Sequence, residues 1–125
     1  MRLLDTSAWI EKFIDGALRA KIDALLPDAN ECVVPTLVQF ELAKWFARER
    51  GEEMADQIIA FTANCLVVPL DTRLALRAAE LARQHRLATA DAIIYATALE
   101  WRAQLVTCDA HFKDLANVML FDKAG

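Results

Sequence analysis

The sequence predicts a three-layer α/β/α domain on a short five-stranded, mainly parallel sheet, and three observations lead there. Five apolar runs of three or four residues recur along the chain, and none alternates polar with apolar, as strands covered on both faces should not. Segments of helical periodicity separate them, the arrangement that gives parallel strands joined by crossovers. The composition, 56% hydrophobic with only three Gly and three Pro in 125 residues, suits a compact helix-rich chain.

Arg2-Leu3-Leu4 is the first run, and the capping residues Asp5-Thr6-Ser7 lead into a helix with Trp9, Ile10, Phe13 and Ile14 at helical spacing. Asp15-Gly16 ends it. A second helix carries Leu18, Ile22, Leu25 and Leu26 on one stripe until Pro27. Cys32-Val33-Val34 is the second strand, ended by Pro35. Thr36 is placed to cap a long helix with Val38, Leu42, Trp45 and Phe46 as its core stripe and Glu41, Lys44 and Arg48 on another. Gly51 breaks that pattern, and a helix with Met54, Ile58 and Phe61 precedes the third strand, Leu66-Val67-Val68. Asp71 caps the next helix, whose inner side is Leu74, Ala78, Leu81 and Ala82. Arg73 and Arg77 stand on its solvated side. Thr89 is a plausible cap for a helix apolar around most of its circumference, with Asp91 in its first turn. Leu105-Val106-Thr107 is β-branched and too short for a helix, so it reads as a buried strand with Asp109 at its carboxyl end. After one or two further helical turns, Val118-Met119-Leu120-Phe121 is the last strand.

At this length the chain forms one domain, 1–125, able to bury roughly two thirds of the surface its unfolded form exposes. Cys32, Cys65 and Cys108 are odd in number, far apart in sequence and beside apolar residues, so they read as reduced core thiols; His85 and His111 add no ligand pair. Nothing resembles a signal peptide, and no apolar run approaches the roughly 18 residues that span a bilayer, so the expected location is the cytoplasm. A formal net charge of -4 speaks against holding nucleic acid by bulk positive charge. It leaves open an enzyme that recruits cations to its substrate.

In a doubly wound sheet ligands bind beyond the carboxyl ends of the strands. Asp5 follows the first strand directly, Asp109 follows the fourth, Asp91 opens the helix before it, and Glu41 lies in the second turn after strand two. Each acid alone has a plain explanation as a cap, a dipole-facing charge or, for Glu41, a partner of Lys44. Glu41, however, sits among Val38, Phe40 and Leu42, all expected in the core, a poor place for an acid kept only for solubility. Four carboxylates gathered within a few Å need protons or cations, and oxygen donors without zinc-type Cys and His spacing suit Mg²⁺ or Mn²⁺. Such an ion serves phosphoryl chemistry.

Leu-Leu-Asp-Thr-Ser at the start, Glu41 after Val-Val-Pro-Thr, the run Leu87-Ala-Thr-Ala-Asp-Ala-Ile-Ile-Tyr-Ala-Thr-Ala-Leu, and Leu105-Val-Thr-Cys-Asp-Ala-His-Phe together give a chain that resembles the PIN-domain ribonucleases over nearly its whole length. Within them it is similar to VapC-type toxins of toxin-antitoxin pairs. The resemblance implies that Asp5, Glu41, Asp91 and Asp109 are the acidic quartet, with Thr6 and Thr107 as supporting hydroxyls. Asp5, Asp91 and Asp109 would hold the metal, and Glu41 would complete the shell or orient the attacking water. It also implies Mg²⁺- or Mn²⁺-dependent endonucleolytic cleavage of RNA, homodimerisation and a VapB-like antitoxin. Lys44 and Arg48 are candidates for phosphates of the RNA backbone, or simply solvated charges. The apolar residues Trp45, Phe46, Met54 and Phe61 fill the core or form a dimer contact. Two departures stand out: Cys108 occupies a position often basic or amide, and Trp101-Arg102 replace the usual turn Gly.

Two alternatives belong to other classes. One is a PIN-like nuclease or binding module with no antitoxin. The other is a receiver-type signalling domain, which has the same length and an acidic Mg²⁺ pocket but wants paired acids after strand one, where this chain has Asp5-Thr6.

Overall fold

The computed structural model describes residues 1–122; residues 123–125 of the expected domain lie outside the described part. Five strands are present, β1 (Arg2–Leu4), β2 (Cys32–Pro35), β3 (Leu66–Val68), β4 (Gln104–Thr107) and β5 (Val118–Leu120). Each lies within one residue of its expected bounds. The helices are α1 (Thr6–Phe13), α2 (Arg19–Leu25), α3 (Thr36–Arg50), α4 (Glu52–Ala63), α5 (Thr72–His85) and α6 (Thr89–Glu100).

Every neighbouring pair of strands is parallel, in the order β3-β2-β1-β4-β5. The crossovers from β1 to β2 and from β2 to β3 step one way, through α1 with α2 and α3 with α4. The crossover through α5 and α6 then returns past β1 to β4. Because such connections are right-handed, reversing direction moves the helices to the other face, and three layers result. The reversal also opens a crevice between the carboxyl ends of β1 and β4, where ligands bind in open sheets of this kind. A receiver-type sheet has the order 2-1-3-4-5, so the observed order excludes that alternative.

Burial follows position in the sheet. Leu3 and Leu4 of β1, Val33 and Val34 of β2, and Leu105 and Val106 of β4 are fully inaccessible, whereas Val67 on edge strand β3 is exposed. Val38, Leu42 and Phe46, spaced four apart on α3, face the core, and Trp45 is only partly covered. Phe40 is not a core residue: it is 62% exposed, two positions off that stripe and so on the opposite side of the helix. Phe61 is also exposed at the surface, although its ring packs edge-on against Trp9 and Phe13.

Two expected caps shift by one residue. Pro35 and Ala88 take the extended cap backbone without a side-chain bond, so Thr36 and Thr89 are the first residues inside their helices. Asp5 and Asp71 do cap, accepting from the amides of Ala8 and Leu74. Gly51 has φ of 98° at the α3–α4 junction, a conformation that favours glycine. Arg102 has φ of 52° in the turn from α6 into β4, so the position is left-handed even without the usual Gly. The three cysteines are free, but Cys32 and Cys65 are not far apart in space. Parallel pairing of β2 with β3 brings them together, and burial, then the neighbouring Cys65, pushes the Cys32 thiol up to about 12. Such thiols are unreactive.

Candidate active site

The carboxyl ends of β1 and β4 are joined through one carboxylate. Asp5 ends β1; its amide donates to the Val106 carbonyl on β4, and its side chain is only 4% exposed. Oδ1 accepts from the Ala8 amide at 3.0 Å and from the Ser7 hydroxyl at 2.6 Å. Oδ2 accepts from the Thr107 hydroxyl at 2.5 Å. Both hydroxyls are themselves acceptors from consecutive backbone amides: Cys108 N–H donates to Ser7 Oγ at 3.0 Å and Asp109 N–H to Thr107 Oγ1 at 2.9 Å. Two short relays therefore run from β4 into opposite oxygens of Asp5 and fix the plane of its carboxyl group. Three of its roughly four lone-pair sites are used, which leaves one on Oδ2 for a further partner.

Asp109 follows β4 and caps the one-turn segment Ala110–Phe112, accepting from the His111 amide at 2.9 Å. That turn carries the His111 ring back over the acids. Its Nδ1 lies 3.0 Å from Asp109 Oδ1 and 3.4 Å from Asp91 Oδ2. One ligand-type atom from each of Asp91, Asp109 and His111 falls within 4.8 Å of the other two. Asp91 reaches this point from the first turn of α6, a helix whose Ala92, Ile94, Tyr95, Ala96, Thr97 and Ala98 are all buried, so its N-terminus is rigidly aimed at the crevice.

Glu41 stands on α3 at the rim and accepts a 2.6 Å hydrogen bond from Thr6 Oγ1. It is thus held by the first residue of α1 rather than by Lys44, whose ammonium lies over the Phe40 ring. Beside it a cleft of about 220 Å³ is lined by Thr6, Phe40, Glu41, Lys44, Trp45 and Arg48. Arg48 is paired with its neighbour Glu49, while Arg73 and Arg77 pair with Glu100 and Glu80 away from the crevice.

The acids act on one another. Burial raises the Asp5 carboxyl to about 6, against the hydrogen bonds from Ser7, Thr107 and Ala8, and Asp109 adds to the rise. Asp91 is also raised, by burial first and then by Asp109, with His111 opposing and Glu41 adding. Asp91 and Asp109 are therefore the close pair, with Asp5 and Glu41 within electrostatic reach. Thr6 and Thr107 each donate a hydrogen bond to an acid. Sequence reasoning missed two participants. Ser7 looked like one more capping residue, and His111, set aside because it and His85 offer no ligand pair, joins two acids instead. The hydroxyl two residues after Asp5 and the imidazole two residues after Asp109 were the available signals.

A hard divalent cation fits this donor set. Carboxylate oxygens crowd together at the price of raised proton affinity, and a cation relieves that repulsion. Asp91 and Asp109 would hold it, and the remaining Asp5 lone pair faces the need for a further oxygen.

The family model described as the PIN domain matches residues 2–118. A toxin-antitoxin complex from Klebsiella pneumoniae contains a chain similar in fold, with a TM-score of 0.82 at 20% identity over 95% of this chain and 96% of that one. VapC20 of Mycobacterium tuberculosis, a sarcin-ricin loop cleaving toxin, gives 0.75 at 18% identity over 93% and 95%. DNA-bound VapBC from Salmonella typhimurium gives 0.71 at 20% over 98% and 99%. No curated protein sequence matches the chain.

Proposed function

The chain belongs to the PIN domain family, and from that premise we propose that it is a divalent-metal-dependent endoribonuclease acting as the toxin of a toxin-antitoxin pair. The observation that carries this reading is the gathering of Asp5, Asp91 and Asp109 at the crevice between β1 and β4, with Glu41 at its rim. When bound there, Mg²⁺ or Mn²⁺ lowers the pKa of a coordinated water and offsets charge on the phosphate. Asp91 and Asp109 would hold the cation, and Asp5 would add its unused Oδ2 position directly or through water. Ser7 and Thr107 keep the Asp5 carboxyl from rotating. Glu41, held by Thr6, would complete the shell or orient the attacking water. Lys44 and Arg48 on the same helix face receive flanking phosphates of single-stranded RNA.

The fold shared with chains from VapBC complexes supports a VapB-like antitoxin as partner. A guanidinium from that partner would match the crevice carboxylates in bidentate fashion. Homodimerisation and a cytoplasmic location belong to the same reading; no described helix is long and apolar enough to cross a membrane.

The test is cleavage of single-stranded RNA, beside matched DNA, by purified protein with Mg²⁺, Mn²⁺ or chelator. RNA should be cut only with metal, and Asp91→Asn should abolish cutting. Equal rates for Asp91→Asn and wild type would place the reaction elsewhere, and cutting confined to DNA would replace the substrate.

A further inference from the structure

We infer that His111 is a metal ligand of this site, contributing a nitrogen that makes Mn²⁺, and not Mg²⁺, the preferred ion. The inference rests on the metal-dependent reading above and deepens it.

It begins with distances. A divalent ion with ligands at about 2.0–2.2 Å places neighbouring octahedral ligands about 3 Å apart, √2 times the bond length. His111 Nδ1 is 3.0 Å from Asp109 Oδ1 and 3.4 Å from Asp91 Oδ2, so both separations that involve the imidazole are near that spacing, and one donor atom from each of the three residues lies within 4.8 Å of the other two. The ring is 76% exposed, while the two carboxylates are largely covered. Such a ring has no packing reason to lean inward; the contact with the acids holds it there. The His111 amide bond to Asp109 sets the start of the side chain, so the imidazole needs little reorganisation to serve as a ligand.

Without a cation, an N–H on Nδ1 bridges both acids. With the proton on Nε2 instead, the same atom presents a lone pair to the space they enclose. An imidazole nitrogen changes which ion fits. Mg²⁺ takes oxygen almost exclusively, whereas affinity for nitrogen rises along the first transition series from Mn²⁺ onward. His85 cannot substitute, since its ring packs edge-on against Tyr95.

Pulsed electron paramagnetic resonance of bound Mn²⁺ reads the ligand without any assay of activity. Wild type should show nitrogen hyperfine coupling that changes when histidine is isotopically labelled, persists in His85→Gln and vanishes in His111→Leu. Calorimetric titration should show Mn²⁺ bound more tightly than Mg²⁺, with that preference falling at least about tenfold in His111→Leu. The labelling experiment needs no substitution, so it stands even if the variant folds poorly. Mn²⁺ bound at the acids with no histidine coupling would overturn this inference and leave the metal-dependent reading intact. No Mn²⁺ or Mg²⁺ binding at all would overturn both.

Discussion

Asp5 and Asp71 are the same local device placed at two different points of one sheet. Each follows a strand, takes the extended cap backbone and accepts from the amide three residues on, at 3.0 Å for Asp5 and 2.8 Å for Asp71. Asp71 stays exposed beside edge strand β3 and does nothing more than cap. Asp5 is buried, takes two hydroxyl donors and is pushed toward neutrality. The difference is topological. β1 lies at the point where strand order reverses, with β4 beside it, whereas nothing reverses at β3. A cap becomes part of a site when a second strand end arrives next to it.

Removing the two charges one at a time gives the largest expected contrast. Asp5→Asn should lower RNA cleavage by at least about 100-fold, beyond what losing a supporting contact costs. Asp71→Ala should cost about 1 kcal/mol of stability through the lost cap and leave cleavage at the wild-type rate. Parallel single-turnover assays and melts decide it; comparable losses of activity would mean that the two caps are equivalent.

The acidity of Asp5 is the next test. The Asp5 carboxyl sits at about 6 in the fold against an ordinary 3.8. Between those values the native state binds more protons than the unfolded chain, so stability from this group is present at low pH and lost as pH rises through the window. In chelator, Asp5→Asn should therefore gain on wild type between about pH 4 and about pH 7, by on the order of 2–3 kcal/mol. Denaturant titrations at the two pH values measure this, and a pH-independent difference would refute it.

Thr107→Val tests the arriving strand end. The buried hydroxyl serves two groups, so its loss strips a donor from Asp5 Oδ2 and an acceptor from the Asp109 amide, at about 1–3 kcal/mol. A shift in urea midpoint with unchanged slope is the expected reading. The smallest effect lies at the other end of β4. Arg102→Gly should stabilise by up to about 1 kcal/mol by relieving φ of 52°, without altering cleavage. A changed rate there would mean that the site responds to general stability.

Strands and helices were legible because apolar runs and helical stripes record burial directly. That Asp5, Asp91 and Asp109 lie near one crevice was legible because strand ends in this fold class are where ligands gather. What failed was finer. Phe40 was assigned to the core because it stands between Val38 and Leu42, but alternate residues on a helix point to different sides. Thr36 and Thr89 looked like caps because sequence gives residue type, while the cap is defined by the backbone of Pro35 and Ala88. Ser7 and His111 escaped because their roles depend on partners a hundred residues away, or across the crevice on another helix. The kinship of Cys32 and Cys65 likewise exists only once β2 and β3 pair.

The bond from Thr107 to Asp5 spans 102 residues. β1 is made before β4, yet its partner on that side follows only after β2, β3 and six helices. At ordinary elongation rates of about 5–20 residues per second, Asp5 waits about 5–20 s for the hydroxyl that orients it. During that interval Asp5 Oδ2 lacks its Thr107 partner, and the crevice has only one wall. Synthesis thus carries its own delay: the crevice between β1 and β4 cannot form until nearly all of the domain has been translated.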